Sequence, residues 1–299
     1  MTQRPVHIFV VGASGLIGNE VAKILVDLPD KIIVLKGICD SKHALYLQDQ
    51  SIIAGWKVNR DVRWRVCDYL SSPGAESVPK YDGSGDALLA FTSPEASIAC
   101  HTVIIDCTAS EIPSSLYGAW LDAGSHVVTA NKKGMHGDQC IIISYIYYYN
   151  IIPHICNQHT VNSGAYPYYK ACSEASNCPH KGMWFTEATC GAGLPVIKTL
   201  RTLVQTGDSI EFIRGIFSGT MSYLFNTWKP PAMFSDMVRT AKNSGYTEPD
   251  PRQDLNGVDV ARKVVILARE CGLEVSLSDV SIEGLVPHSL TECSVEDFM

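Results

Sequence analysis

The sequence predicts an α/β protein with a doubly wound parallel sheet, followed by a second, α+β domain. Apolar strands alternate with amphipathic helices through the first half of the chain, as they do in βαβ units. The chain opens with VHIFVVGASGLIGNEVAKIL (Val6 to Leu25), where an apolar run breaks at a glycine-rich turn and resumes at helical spacing. With 299 residues the chain can form two cores, and we expect domains at 1–186 and 187–299.

Further strands and helices follow the opening unit in alternation. KIIVLKGICD (Lys31 to Asp40) is predicted as a second buried strand, and HTVIIDC (His101 to Cys107) and HVVT (His126 to Thr129) as two more. The segment from Glu111 to Ala123 has a helical pattern. Parallel strands joined by helices form a Rossmann-type sheet, which binds its ligands at the carboxyl ends of the strands.

Composition limits the classes of function. A net charge of −7 leaves no basic surface for a nucleic acid. The longest uncharged run, Cys140 to Cys156, is shorter than the ~20 residues of a membrane helix, and we expect a buried helix running into a strand there. Eleven scattered cysteines and no signal-peptide pattern indicate reduced thiols in the cytoplasm. We therefore expect a small-molecule ligand, with neither a nucleic-acid nor a membrane partner.

The glycine turn predicts a dinucleotide site. Gly12, Gly15 and Gly18 let the backbone approach a pyrophosphate, which the N–H groups at the start of the next helix would bind. Ser14 stands where the commonest fingerprint has its second glycine, so a tight turn without a ligand is the alternative. Asp40 follows Gly18 by 22 residues, close to the ~20 expected for an acid that binds a ribose hydroxyl.

The choice between NAD and NADP stays open at this point. Asp40 would repel a 2′-phosphate, which favours NAD, but Lys42 lies two residues later and can offset that charge. The alternative for Asp40 is a solvated loop acid. The sequence therefore predicts a nicotinamide dinucleotide of either type.

A charged region, GYTEPDPRQDLNGVDVARKVVILARECG (Gly245 to Gly272), predicts a substrate site. Asp254 or Asn256 can cap its helix, and Asp259 and Lys263 are four residues apart on one helix face. A solvent-exposed ion pair is the alternative. The functional interpretation depends on the density of acidic residues close to one lysine, because Glu248, Asp250, Asp254, Asp259 and Lys263 all fall within sixteen residues. Such a cluster suits a zwitterionic substrate.

Two glycine loops lie between these regions. FTEATCGAGLPVIKTL (Phe185 to Leu200) and IRGIFSGTMSYLFN (Ile213 to Asn226) each have the order strand, glycine loop, helix. Gly191, Gly193 and Gly219 are ordinary turn residues unless a ligand lies beside them.

These blocks resemble homoserine dehydrogenase, and most of all the dehydrogenase half of the fused aspartate kinase and homoserine dehydrogenase proteins. The resemblance is carried, in chain order, by VVGASGLIGNEV, GICDSKHAL, VIIDCTAS, HVVTANKKG, EATCGAGLPVI, GIFSGTMSYLFN and GYTEPDPRQDLNGVDVARK. It implies reversible, NAD(P)-dependent reduction of aspartate 4-semialdehyde to homoserine, in threonine and methionine biosynthesis. It also implies a homodimer formed through the second domain, which binds the substrate.

The resemblance also assigns roles to residues. The glycine loop, the acid at the spacing given above and the strand ends would bind the cofactor: Gly12, Ser14, Gly15, Leu16, Ile17, Gly18, Asp40, Thr108, Ala109 and Lys132. Lys263, Asp259 and Lys132 would be catalytic. The substrate would contact Glu248, Asp254, Gly219, Thr220 and Tyr246. In some relatives a monovalent cation, Na⁺ or K⁺, occupies the loop that matches Glu187, Cys190, Ala192 and Leu194.

The chain departs from the family pattern in three places. Its last block, SIEGLVPHSLTECSVEDFM, resembles a family segment after which the chain normally continues, so we expect a second domain that is incomplete at its C-terminus. Gln253 stands where relatives commonly have an acid. The stretch from Asn150 to Gly182 matches poorly, and its cysteines and histidines make zinc an alternative: His154 to His159, Cys172, Cys178 and His180.

Two rival functions remain. A dehydrogenase-like fragment can bind a nucleotide or a partner chain without turnover. An aldehyde-acylating semialdehyde dehydrogenase would need a thiolate nucleophile, for which Cys190 and Cys107 are the thiols near glycine loops.

Overall fold

The computed structural model describes residues 5–27, 32–47, 65–70, 75–92, 100–132, 166–179, 181–248 and 250–299. The chain divides into two compact units, Met1–Ala192 and Gly193–Met299. This division falls six residues after the domain boundary predicted from the sequence (192 against 186). The helix and strand predicted from Cys140 to Cys156, and the segment from His154 to His159, lie outside the described residues.

In the described part of unit 1, seven strands form one sheet. They are β1 (Val6–Val11), β2 (Ile33–Cys39), β3 (Ala44–Leu47), β4 (Ala75–Ser77), β5 (His101–Asp106), β6 (His126–Thr129) and β7 (Trp184–Phe185). The order across the sheet is β4-β3-β2-β1-β5-β6-β7. The neighbouring pairs β2-β1, β1-β5, β5-β6 and β6-β7 are parallel. The pairs β2-β3 and β3-β4 are antiparallel, so β3 and β4 form an antiparallel edge. The predicted doubly wound sheet is confirmed.

Helices connect these strands and cover the sheet. In unit 1 they are α1 (Leu16–Asp27), α2 (Gly85–Thr92), α3 (Glu111–Ser115), α4 (Tyr117–Asp122), α5 (Tyr166–Ser176) and α6 (Ala188–Gly191), with a 3₁₀ turn at Val66–Tyr69. The single helix predicted from Glu111 to Ala123 is therefore two helices. The N–H of Leu116 donates to the carbonyl of Pro113, only three residues earlier, at 3.0 Å. This tighter turn separates α3 from α4.

Strand β1 lies at the centre of the core of unit 1. Its residues from Ile8 to Val11 are consecutively buried, which requires cover on both faces of the sheet. Ala22 and Val26 of α1 belong to the same core cluster as Ile8 and Val10. Burial of a single valine or isoleucine side chain contributes roughly 1.5–3 kcal/mol, so this packing holds α1 firmly against the strand that precedes it. The glycine turn between them is thereby fixed in position.

The strand order reverses at β1. Its neighbour on one side is β2, which follows it in sequence, while β5 on its other side begins the second half of the sheet. Open α/β sheets bind ligands outside the carboxyl ends of the strands at such a reversal. The residues that follow β1 and β5 there are Gly12 and Cys107, and they define where a nucleotide site is expected.

Among its described residues, unit 2 contains helices joined by loops, and no strand. Its helices are α7 (Val196–Gln205), α8 (Gly219–Thr227), α9 (Phe234–Asn243), α10 (Arg252–Leu255), α11 (Val258–Glu270) and α12 (Val295–Phe298), with 3₁₀ turns at Leu277–Asp279 and His288–Leu290. Their core contains Leu224, Val238, Ala241 and Leu255. The strand expected from Ile213 is not formed, because the described residues offer it no pairing strand for its N–H and C=O groups. None of the helices in the described ranges is both long and apolar enough to cross a membrane.

Candidate functional site

The glycine turn after β1 is tied to the neighbouring strand. Gly12 has a φ of 81°, a backbone conformation that residues with a side chain rarely adopt. The N–H groups of Gly12 and Ala13 both donate to the carbonyl of Cys39 at 2.9 Å, and the N–H of Gly15 donates to the carbonyl of Gly12 at 3.0 Å. The turn is therefore hydrogen-bonded to the end of β2 and to itself.

Close packing explains the glycines at both ends of this turn. A Cβ on Gly12 would lie 2.7 Å from Cγ2 of Thr108, and a Cβ on Gly18 would lie 2.1 Å from the carbonyl oxygen of Gly12. The first contact joins the ends of β1 and β5, and the second presses α1 onto the turn. Leu16 and Ile17, in the first turn of α1, are 74% and 56% exposed. The N-terminus of α1 is thus open to an anion.

Asp40, at the end of β2, is linked to this turn through Ser14. The hydroxyl of Ser14 donates to Oδ2 of Asp40 at 2.9 Å and accepts from the N–H of Val66 at 3.1 Å. The other carboxylate oxygen, Oδ1, accepts from the N–H groups of Lys42 and His43, both at 2.8 Å. The structure thus brings together two of the predicted cofactor residues that are 26 positions apart.

A buried polar network, which the sequence did not reveal, holds the ends of β5 and β6. Oδ1 of Asp106 accepts from the N–H of Thr108 at 2.8 Å. Its Oδ2 accepts from the hydroxyl of Tyr117 at 2.5 Å and from Nδ2 of Asn131 at 3.0 Å. Burial raises the pKa of Asp106, and the hydrogen bond from Tyr117 is the largest opposing effect. The network fixes Thr108 and places Lys132 directly after an anchored asparagine.

The signal that could have identified this network is an acid at the end of a buried strand. VIID ends β5 with Asp106, which pairs in register with Thr129 at the end of β6. The hydroxyl of Thr129 accepts from the N–H of Asn131 at 2.8 Å and lies 2.8 Å from the hydroxyl of Tyr117. Ala109, a predicted cofactor contact, is exposed just beyond Thr108.

In unit 2, Lys263 and Asp259 form the predicted pair on α11. Nζ of Lys263 lies 2.9 Å from Oδ2 of Asp259 and donates to the carbonyl of Phe217 at 2.6 Å. The side chain of Lys263 is 15% exposed and that of Asp259 is 38% exposed. The contact with Phe217 distinguishes the pair from a purely solvent-facing one, because it fixes the ammonium beside the segment that leads into α8.

The start of α8 meets the acidic loop that precedes α10. The hydroxyl of Thr220 lies 2.9 Å from Oδ1 of Asp254 and 2.8 Å from the carbonyl of Tyr246. Oδ2 of Asp254 accepts from the N–H of Glu248 at 2.8 Å. The ring of Tyr246 packs edge-on against that of Tyr223, with centroids 4.8 Å apart. Hydrogen bonds therefore link four of the five predicted substrate residues in one chain, from Tyr246 through Thr220 and Asp254 to Glu248, and Gly219 directly precedes Thr220.

Asp250 has a structural partner that the sequence did not predict. Arg252 donates to both of its carboxylate oxygens, from Nε and Nη2, at 2.8–3.1 Å. This hydrogen bonding lowers the pKa of Asp250. Nη1 of Arg252 donates to the carbonyls of Leu290, Thr291 and Cys293. Asp250 thus helps to hold the C-terminal segment.

The predicted helix caps are also resolved by the structure. Asp254 lies within α10 and caps no helix, because its oxygens bond to Thr220 and Glu248 instead. Oδ1 of Asn256 accepts from the N–H of Val258, the first residue of α11, at 2.9 Å.

The predicted cation loop has one unusual backbone conformation. Ala192 has a φ of 50°, which is rare for a residue with a side chain. Glu187 directly precedes α6, Cys190 is buried, and the carbonyl of Leu194 accepts from the N–H of Val196 at 2.8 Å. Within the described ranges no three or more histidines, cysteines or acids are grouped to hold a metal. Of the zinc alternative, His154 to His159 and His180 lie outside those ranges.

Comparison with known proteins gives two matching family models. The model described as homoserine dehydrogenase, NAD binding domain, matches residues 14–141, and the model described as homoserine dehydrogenase matches residues 195–298.

Relatives extend this similarity. A chloroplastic bifunctional aspartokinase/homoserine dehydrogenase of Zea mays is 46% identical over 197 residues, 65% of this chain. A homoserine dehydrogenase of Schizosaccharomyces pombe is 40% identical over 221 residues, 72% of this chain. A crystal structure of a Candida auris protein of unknown function has a TM-score of 0.69 at 30% identity, covering 99% of this chain and 71% of that one. The matched region spans 18% of the maize protein and 50% of the fission yeast protein.

Proposed function

The chain belongs to the homoserine dehydrogenase family, and from this premise we propose that it reversibly reduces aspartate 4-semialdehyde to homoserine with NAD(P)H. Two sets of contacts in unit 2 carry the proposal: Lys263 bonds to Asp259 and to the carbonyl of Phe217, just before α8. Thr220, in the first turn of α8, bonds to Asp254. An anchored ammonium and ordered carboxylates are what an amino aldehyde substrate requires.

Unit 1 fits the dinucleotide that the reaction requires. Glycine is required at positions 12 and 18 because the protein's own atoms fill the space that a Cβ would take. The exposure of Leu16 and Ile17 leaves the N-terminus of α1 accessible to a pyrophosphate. Thr108, Ala109 and Lys132 follow strand ends that are fixed by the Asp106 network. When bound, the nicotinamide supplies the hydride for reduction and accepts it in the reverse direction.

Lys263 is proposed as the proton donor. Its ammonium stabilises the negative charge that develops on the aldehyde oxygen and then protonates that oxygen. Asp259 and the carbonyl of Phe217 fix the direction of the ammonium. Lys132 is the second lysine proposed at the reacting groups, as the family resemblance implies.

Asp254 and Glu248 are proposed to bind the α-amino group of the substrate. Asp254 is held by Thr220 and by the backbone of Glu248, so its carboxylate is oriented before the substrate arrives. A Cβ on Gly219 would meet no atom within 4 Å. The protein itself thus leaves room at Gly219 for a ligand to approach the start of α8, beside the exposed ring of Tyr246.

A Na⁺ or K⁺ ion is proposed at the loop formed by Glu187, Cys190, Ala192 and Leu194. The positive φ of Ala192 supports this, because unusual backbone conformations of this kind cluster at functional sites. The carbonyl of Leu194 retains acceptor capacity beyond its bond from Val196, since a carbonyl oxygen has two lone pairs. Replacing all Na⁺ and K⁺ with choline is expected to lower turnover by several-fold, about 1 kcal/mol. Unchanged turnover would remove the ion from the proposal.

The thiolate mechanism of an acylating dehydrogenase is disfavoured by the environment of the thiols. Burial raises the pKa of the Cys107 thiol to about 12, and Cys190 is buried. A protonated thiol is a poor nucleophile near neutral pH. We expect iodoacetamide at pH ~7.5 to leave turnover unchanged, and Cys107→Ala to keep at least about a third of it. Loss of activity that tracks alkylation of Cys107 or Cys190, followed by peptide mass spectrometry, would favour the acylating mechanism.

The proposed activity is tested by following NADH and NADPH oxidation with aspartate 4-semialdehyde, and the reverse reaction with homoserine. Turnover in both directions is expected. Cofactor binding without turnover in either direction would instead favour the rival, a dehydrogenase-like chain that binds nucleotide alone. The homodimer and the cytoplasmic location stay predictions, and light scattering of the purified protein would test the first.

A further inference from the structure

We infer that Arg252 is a positioning residue, which holds the proposed substrate acid Asp254 in place by joining its short helix to the C-terminal segment, residues 284–298. The inference rests on the proposed function, because it concerns the carboxylates assigned to the substrate's α-amino group. Arg252 acts through Asp254 and is not proposed to touch the substrate.

The helix that carries Asp254 is too short to be stable alone. α10 has four residues, Arg252–Leu255, and a first helical turn costs more backbone entropy than its hydrogen bonds return. Its hydrogen bonds include one from the N–H of Asn256 to the carbonyl of Arg252, at 2.8 Å. Contacts from outside the helix must therefore supply its stability, and with it the direction of the Asp254 carboxylate.

Arg252, the first residue of α10, is bonded on two sides. Its Nε and Nη2 donate to the carboxylate of Asp250 at 2.8–3.1 Å. Its Nη1 donates to the carbonyls of Leu290, Thr291 and Cys293 at 2.7–3.3 Å. All three nitrogens of the guanidinium are thus engaged with the protein, and Asp250 fixes the direction in which Arg252 reaches the C-terminal segment.

The last residue of α10 meets the same segment. The carbonyl of Leu255 accepts from the N–H of Leu285 at 2.8 Å. The side chain of Leu255 belongs to a buried cluster against which Phe298 packs. The guanidinium of Arg252 also lies over the ring of Phe298, with 5.6 Å between Cζ and the ring centroid. The C-terminal segment therefore contacts α10 at both ends, and Asp254 lies between the two contacts.

Lysine could not make the same set of bonds. A guanidinium has five N–H donors in one plane, whereas an ammonium has three donors on one atom and cannot serve a carboxylate and a row of carbonyls together. The pair is also partly withdrawn from water, because the side chains of Arg252 and Asp250 are 15% and 23% exposed. Those of Arg239 and Asp236, an arginine–aspartate pair in the same unit, are 49% and 57% exposed. This second pair supplies a matched control.

The test compares Arg252→Ala, Arg252→Lys and Arg239→Ala with the unaltered protein. Amide hydrogen exchange at 253–256 reports whether α10 is held, with α9 as the internal reference. Calorimetric titration with homoserine in the presence of NADH or NADPH, a pair that cannot react because both partners are reduced, gives the dissociation constant. Steady-state kinetics with aspartate semialdehyde give kcat and KM. Guanidinium chloride, well below denaturing concentrations, is added to Arg252→Ala, with choline chloride at the same concentration as its control.

We expect the amides of 253–256 to exchange at least about tenfold faster in Arg252→Ala, and homoserine to bind about tenfold more weakly. KM for aspartate semialdehyde should rise by about the same factor, with kcat within about threefold, because the groups at the reacting carbonyl stay in place. Arg252→Lys should lie between Arg252→Ala and the unaltered protein. Guanidinium should lower the KM of Arg252→Ala, and choline should not. Arg239→Ala should match the unaltered protein in every measurement.

Unchanged exchange at 253–256 in Arg252→Ala, or faster exchange with unchanged homoserine binding, would overturn the inference. So would a loss of protection that spreads to α9 and that neither lysine nor guanidinium reduces, because Arg252 would then stabilise unit 2 as a whole. An unaltered protein that neither binds homoserine nor turns over would count against the proposed function. The exchange measurement would still decide whether Arg252 holds α10.

Discussion

Replacing Lys263 with methionine is expected to lower kcat for aspartate semialdehyde reduction by about 10²- to 10⁴-fold. Methionine keeps the apolar stem but removes the ammonium that contacts Asp259 and the carbonyl of Phe217. The aldehyde oxygen then loses both its charge stabilisation and its proton donor. Because Lys263 lies in unit 2, the dissociation constants of NADH and NADPH should change little. Steady-state kinetics and nucleotide fluorescence measure the two quantities separately.

Two further variants make this result interpretable. Lys229→Met removes an exposed lysine from the same unit and should keep normal turnover. Asp259→Ala leaves the ammonium but removes its ion-pair partner, so an intermediate loss is expected. If Lys263→Met retained normal kcat while Lys132→Met lost it, the proton donor would be Lys132, and the role assigned to α11 would be wrong.

Replacing Asp254 with alanine is expected to raise KM for aspartate semialdehyde and for homoserine by about thirtyfold or more, roughly 2 kcal/mol. The carboxylate does two things that alanine cannot do. It holds the hydroxyl of Thr220 and the N–H of Glu248, and it carries the charge proposed to meet the substrate's ammonium. Asp254→Asn keeps the hydrogen-bonding shape without the charge. Its KM should therefore lie between that of the unaltered protein and that of Asp254→Ala.

Asp236→Ala is the matched control for this change. Asp236 is a carboxylate on α9 that pairs only at the surface with Arg239, where ion pairs contribute about 0–1 kcal/mol. Its KM values should equal those of the unaltered protein. A normal KM in Asp254→Ala, with a lowered melting temperature, would mean that Asp254 orders the loop and does not bind substrate.

The parts of the fold that could be predicted from sequence are those with a local periodic signal. Strand β6 was predicted with the bounds that the structure gives it, and the strand, glycine turn and helix from Val6 onward were predicted in order. Each depends on apolar spacing and glycine chemistry within one segment. The strand expected from Ile213 differs, because a strand depends on a pairing partner that its own sequence does not specify.

The contacts that could not be predicted join segments far apart in sequence. Asp106 meets Asn131 only because β5 and β6 pair in parallel with a particular register. Arg252 reaches carbonyls 38 to 41 residues away, and no spacing rule indicates this. Asp250 accordingly looked in sequence like part of a substrate-binding group of acids, although its carboxylate is occupied by Arg252.

In the proposed reaction this chain moves a hydride between a nicotinamide and carbon 4 of a four-carbon amino aldehyde. The test is incubation with aspartate semialdehyde and NADH or NADPH that carries two deuterium atoms at C4 of the ring, followed by mass spectrometry of the product. We expect homoserine that carries one deuterium on C4, formed far more slowly by Lys263→Met. Consumption of the nucleotide without labelled homoserine, or no consumption despite bound nucleotide, would contradict it.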